Sequence, residues 1–178
     1  NTFVTHDGYQ FKRTDKTDNV VNFVNNSEYD IKLRVCYAEA RTGYNCNTCH
    51  KCQRTALSLI LADANPKEYG FDLPSNFYDL IFKNFGKDCI MTKGIKYQWT
   101  CIQDKASQVI ETNNFFVLNN KDKEKEAIQR FIDLDLDDIV NKNEANVKQK
   151  KRQKFLLRQK YPLIYKIYRL LRYKKDKL

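Results

Sequence analysis

Apolar positions recur every three to four residues through most of the chain, the spacing of helices that bury one face. The first such stretch is 14–25, with Thr14 as its N-cap and Val20, Val21 and Val24 on one side. A second runs over 51–62, where Ala56, Leu57, Ile60 and Leu61 form a stripe that Asn65-Pro66 stops. Further helices are expected over 76–85 (Phe77, Leu80, Ile81 and Phe85 inward), within 92–112 (around Trp99, Ile102, Ala106, Val109 and Ile110) and over 121–132 (Ile128, Phe131 and Ile132). Period-two alternation is rarer. Residues 2–5 read as a short strand before a turn at Asp7-Gly8, and Ile31, Leu33 and Val35 alternate with charged residues as a strand that delivers Cys36. An Asn- and Asp-rich stretch, 141–146, reads as a hinge.

Composition narrows the function classes. The 178 residues are 42% hydrophobic and 30% charged, enough apolar material for one compact domain with an appendage. The longest apolar run, 57–62, is far short of the roughly 18 residues of a membrane span. The net charge of +10 is a tail property: thirteen Lys or Arg and one Asp lie between Lys148 and Leu178, which leaves the rest of the chain at −2. That distribution disfavours a nucleic-acid-binding domain. The five glycines are isolated, so the chain holds no glycine-rich loop able to cradle a phosphate.

Four of the six cysteines crowd together: Cys36, then Cys46, Cys49 and Cys52 at C-x2-C-x2-C spacing. Two residues between ligands let the backbone turn around one tetrahedral ion, and four thiolates suit a structural zinc with no open position. An iron–sulfur cluster also takes four thiolates and stays a rival. His50, between two ligands, reads as a surface residue or a supporting neighbour. Lys51, Arg54 and the N-terminus of the following helix can offset the −2 charge of a zinc tetrathiolate. Cys89 and Cys101 read as buried thiols. Clustered cysteines of this kind point to metal ligation in a reducing compartment, hence to the cytoplasm. The expected fold class is therefore α+β and mostly helical. Short strands feed a four-cysteine zinc knuckle, and a helical C-terminal region ends in a basic amphipathic helix.

The knuckle and its flanks, Leu33-Arg34-Val35-Cys36 and Tyr44-Asn45-Cys46-Asn47-Thr48-Cys49-His50-Lys51-Cys52-Gln53-Arg54-Thr55, resemble the C-terminal zinc-binding part of PP-loop ATP-pyrophosphatase-like proteins. That group includes proteins met with bacterial surface-polysaccharide genes, whose run is close to L-R-V-C…N-C-G-x-C-x-K-C-x-R-T. 7-cyano-7-deazaguanine synthase is similar in its cysteine spacing. Thr5-His6-Asp7-Gly8, Arg13-Thr14-Asp15-Lys16 and Phe71-Asp72-Leu73-Pro74 look like further stretches of the same proteins, so the resemblance covers about residues 1–85. It implies a structural zinc on the four cysteines and a substrate or nucleotide cleft near Arg13 and Lys16. ATP and magnesium would enter only with an N-terminal PP-loop part. Two departures stand out. Asn47 replaces the usual Gly, and the S-G-G-x-D-S nucleotide loop, which relatives carry upstream, is absent. The Asn1 start favours a C-terminal piece of a longer enzyme over a stand-alone remnant.

The organisation expected is a zinc-knuckle region at 1–85, a helical extension at 86–146 and a basic tail at 147–178. In the tail, Leu157, Tyr161, Ile164, Tyr168 and Leu171 follow helical spacing among Lys and Arg, and Pro162 interrupts the helix. Such a segment can dock on its own core, on the chain's own PP-loop domain, on a partner protein, or on an anionic membrane surface. Asp133, Asp135, Asp137 and Glu144 match a calcium-loop spacing, but Asp138 stands where the template needs Gly, so they read as acids that border a helix N-terminus or offset the basic tail. The functional expectation is a portion of an ATP-dependent adenylating enzyme; the rival is a non-catalytic zinc-bearing module that docks through its basic tail.

Overall fold

In the computed structural model residues 8, 10–37, 44–86 and 91–162 are described, and every regular element among them is helical. The helices are α1 (Arg13–Asn25), α2 (His50–Ile60), α3 (Phe77–Asn84), α4 (Lys93–Val109), α5 (Lys121–Ile132) and α6 (Leu136–Lys160), with one 3-10 turn at Pro66–Tyr69. The α+β expectation is thus corrected. The strand predicted around Ile31–Leu33–Val35 is extended chain without a ladder partner, because a side chain takes the place of a neighbouring strand. Asn45 Nδ2 donates to the Leu33 carbonyl at 2.7 Å and to the Gly70 carbonyl at 3.0 Å, while Asn45 Oδ1 accepts the Val35 amide at 3.0 Å. The Leu33 amide goes to the Tyr69 carbonyl at 2.9 Å. With its polar backbone groups satisfied in this way, the segment needs no sheet. The other predicted strand, 2–5, lies outside the described residues.

α2 is the centre of the structure and packs against α1, α3 and α4. The single apolar stripe expected for it is too narrow a description, since every residue from Cys52 to Ile60 is buried. Polar positions on such a helix need partners inside the protein. Ser58 Oγ donates to the Arg54 carbonyl at 2.8 Å, and Asn113 Nδ2 reaches in from beyond α4 to the Ile60 carbonyl at 2.6 Å. Trp99 of α4, fully buried, meets Phe85 and Phe131 edge-on at centroid distances of 4.9 and 5.7 Å, joining α3, α4 and α5 in one aromatic cluster. Gln103 Nε2 fastens α4 to the end of α5 through the carbonyls of Phe131 and Leu134, both at 2.9 Å.

α6 corrects a second expectation: it passes without a break through 141–146, the stretch read as a hinge. Asn143 is buried there, so the run of polar residues includes a packing position. Of the acids read as a helix border, Asp135 and Asp137 form that border, whereas Asp133 ends α5 and Glu144 lies inside α6. Asp135 Oδ1 accepts the amides of Asp137 and Asp138 at 2.8 and 2.9 Å, as an N-cap does. At the other end α6 stops at Lys160, before Tyr161-Pro162, because proline disfavours helix in the residue preceding it. Phe155, Leu156 and Leu157 are exposed by 52–59%. Successive residues step about 100° around a helix, so these three wrap around α6 rather than forming one apolar stripe. Ile164, Tyr168 and Leu171 lie outside the described residues.

Candidate metal centre

Three pieces of chain converge on one point. The extended segment ends on Cys36, the loop supplies Cys46, Cys49 is the N-cap of α2, and Cys52 lies in the first turn of that helix. Their Sγ atoms all lie within 4.8 Å of one another. Cys46–Cys52 is 3.7 Å, Cys49–Cys52 is 3.5 Å and Cys36–Cys49 is 4.0 Å. A disulfide would bring two sulfurs to about 2.05 Å, and none of the four is in a disulfide. A tetrahedron of sulfurs about 2.3 Å from a central ion has edges of about 3.8 Å. The cluster can therefore hold a metal ion. Among the described residues it is also the one convergent group of metal-ligating side chains, so the calcium-loop acids do not form a second.

Local backbone chemistry builds this geometry. Asn47 has φ 59°, the left-handed conformation that lets the chain reverse between Cys46 and Cys49. Asn tolerates it as few residues other than Gly do, as anticipated for this position. The turn aims donors at the first sulfur: the Cys49 amide reaches Cys46 Sγ at 3.3 Å and the Thr48 hydroxyl reaches it at 3.6 Å. Burial works against ionising Cys46, but these bonds outweigh it and bring its pKa down to about 6. Burial pushes Cys49 and Cys52 up; the Cys46 sulfur adds to the rise at both and the Cys49 sulfur to that at Cys52, while the bond to Cys52 works against it at Cys49. Asn84 of α3 anchors the knuckle from outside, donating to the Thr48 carbonyl at 2.8 Å and to Gln53 Oε1 at 2.9 Å.

The predicted cations separate into different roles. Lys51 is exposed and stands over the Tyr37 ring, 4.5 Å from its centroid. Arg54 is turned inward and only 6% exposed. Burial lowers its pKa, Arg13 lowers it further, and the Cys49 sulfur acts in the opposite direction. Arg13 reaches α2 by donating from Nη2 to Thr55 Oγ1 at 3.1 Å. Lys16 is exposed and extends toward Gly8 instead, so the structure brings Arg13 to α2, one turn past Cys52, without Lys16. His50 does not point outward as a surface residue would: its ring lies 6.3 Å from both Phe85 and Trp99. Cys101 is buried, as read; Cys89 lies outside the described residues.

Sequence reasoning missed Asn45. It organises the Cys36 segment, yet nothing in its type or spacing separates it from any other polar residue beside a cysteine. Among the described residues no helix is long and apolar enough to cross a membrane. Comparison with protein-family models, with curated proteins and with solved structures returned no match.

Proposed function

We propose that the four cysteines bind one zinc ion as a closed structural site, in a chain that serves as the zinc-structured C-terminal portion of a PP-loop-like, ATP-using enzyme. One observation carries the zinc reading: the Cys36 sulfur and the three sulfurs of residues 46–52 converge at the spacing of a single tetrahedral ion. An iron–sulfur cluster places its thiolates on different iron atoms and spreads them wider, so the observed separations favour one ion. Zinc supplies a fixed tetrahedral anchor here and no chemistry on a substrate, because four protein ligands leave no open position. It would staple the extended segment at Cys36 to the N-terminus of α2, two pieces with no sheet between them. Cysteines outside any disulfide fit a reducing compartment, the cytoplasm among them.

The enzyme reading rests on the resemblance around the knuckle. It gains support from Asn47, which adopts the left-handed backbone that a Gly at that position of the family run would adopt without strain. Adenylation would belong to an upstream S-G-G-x-D-S loop with ATP and magnesium. There an oxygen of the substrate attacks the α-phosphorus, pyrophosphate leaves, and a nitrogen or sulfur nucleophile then displaces AMP. Arg13 and Lys16 are this chain's candidate contacts to that cleft, and bacterial surface-polysaccharide biosynthesis is the setting the resemblance suggests. The test is ATP–pyrophosphate exchange by the full parent protein, with and without Arg13→Ala. Exchange that falls in the variant supports the reading; a parent gene with no nucleotide loop and a product without exchange overturns it.

One feature favours the second reading, a non-catalytic zinc-bearing module. From Lys148 to Lys160 α6 carries seven Lys or Arg, no acid and the exposed Phe155, Leu156 and Leu157. Such a helix suits docking to an acidic protein surface or an anionic membrane.

A further inference from the structure

Arg54 follows Cys52 by two positions on α2, and its Nε and Nη1 groups are fully buried with no acceptor. A guanidinium stays charged at any pH a protein survives, so burial without a counter-charge is costly. Among the described residues no carboxylate pairs with Arg54 or with Arg13. The charged groups acting on Arg54 are Arg13, which repels it, and the Cys49 sulfur, which attracts it. Four thiolates on one divalent ion carry a net charge of −2, an anion placed where the arginine lacks one.

We propose that Arg54 is the built-in counter-charge of the metal centre, so that metal binding and the burial of this guanidinium depend on each other. The proposal rests on the zinc reading above and adds to it a residue outside the ligand set. Without metal, Arg54 is a buried cation with no carboxylate to pair with; with metal, a dianionic centre on the cysteines of the same helix start would supply the missing negative charge. An outside oxyanion such as phosphate fits less well. Nε and Nη1 have no exposed surface for it to reach. Lys51, which the sequence offered for the same role, is engaged with Tyr37 and leaves the inner position to Arg54.

The consequence is a reversal of sign that a packing residue would not show. Arg54→Met keeps the length of the side chain and removes its charge. In the full chain, this variant should bind zinc on the order of 10- to 100-fold more weakly in competition with a chromophoric chelator, the usual effect of losing a partner outside the ligand set. The melting temperature of its metal-free form should rise above that of the wild type, because an unpaired buried charge is gone. Arg54→Lys should keep most of the affinity. Equal zinc affinity in wild type and Arg54→Met would overturn the proposal while leaving the zinc site intact. So would a metal-free Arg54→Met that melts below the wild type. A wild-type chain that takes up no zinc would overturn this proposal and the zinc reading together. Inorganic phosphate that stabilises the metal-free wild type but not Arg54→Met would identify an oxyanion as the partner instead, which also overturns it.

Discussion

Tyr78 donates its hydroxyl to Glu124 Oε1 at 2.7 Å, a buried contact between α3 and α5. The same carboxylate accepts the Val117 and Leu118 amides at Oε2, both at 3.0 Å, so one acid organises the loop that leads into α5. Phe115 and Asn119 bracket that loop with positive φ angles of 62° and 50°. Glu124 is 1% exposed, and its charge is tolerated because backbone donors and a phenol surround it. Burial raises the Tyr78 pKa well above its ordinary value, and Glu124 adds to the shift. Glu124→Gln places an amide N–H against these donors and should cost about 2–4 kcal/mol in urea unfolding, while Tyr78→Phe should cost about 1 kcal/mol. A double-mutant cycle with additive losses would show that the two do not act as a unit.

Asn45 is the corresponding device at the metal centre. Asn45→Ala leaves two carbonyls and one amide of the extended segment without their partner, and should lower stability by about 2–3 kcal/mol. It should also weaken metal binding, since Cys36 is held in place by that segment. Unchanged chelator competition in the variant would show that Cys36 is positioned without it.

The turn after Cys46 predicts an ordering. Asn47→Gly should be neutral or slightly stabilising, and Asn47→Val should cost about 1–2 kcal/mol because a β-branched residue resists φ 59°. Thermal melts of the metal-loaded proteins would reveal it, and equal melting of the Gly and Val variants would contradict the strained-turn account.

Metal uptake should be pH-dependent with a fixed sign. Cys46, at about 6, is largely ionised at neutral pH, whereas Cys49 and Cys52 are raised above the ordinary thiol value. Binding must then expel protons from Cys49 and Cys52, so affinity falls as pH falls and rises toward pH 9. Calorimetry in buffers of different ionisation enthalpy would count the released protons. Zinc affinity that is flat from pH 6 to 9 would contradict the assignment of these thiols as ligands.

The cysteines were legible because ligand spacing is a local property: residues 46–52 are one turn and the start of one helix. The helices were legible for the same reason, and α5 has the bounds that its apolar period marks. What the sequence hid was long-range. Ile31, Leu33 and Val35 carry a strand's alternation, but whether a strand forms depends on a partner, and here Asn45 is the partner. Residues 141–146 look like a hinge by composition, yet the Asp135 cap and the burial of Asn143 carry helix through them. Lys51 and Arg54 read alike as counter-charges and His50 as a surface or supporting residue; burial of α2 from Cys52 onward turned Arg54 inward and left Lys51 exposed, and the His50 ring packs beside Phe85 and Trp99.

The central claim is a single zinc on four thiolates, and zinc K-edge absorption on protein purified without added metal tests it most directly. The account predicts one zinc per chain with four sulfurs at about 2.3 Å, and loss of both metal and fold in Cys49→Ser. Protein that holds no metal, iron with visible absorbance, or a zinc shell containing nitrogen or oxygen would contradict it.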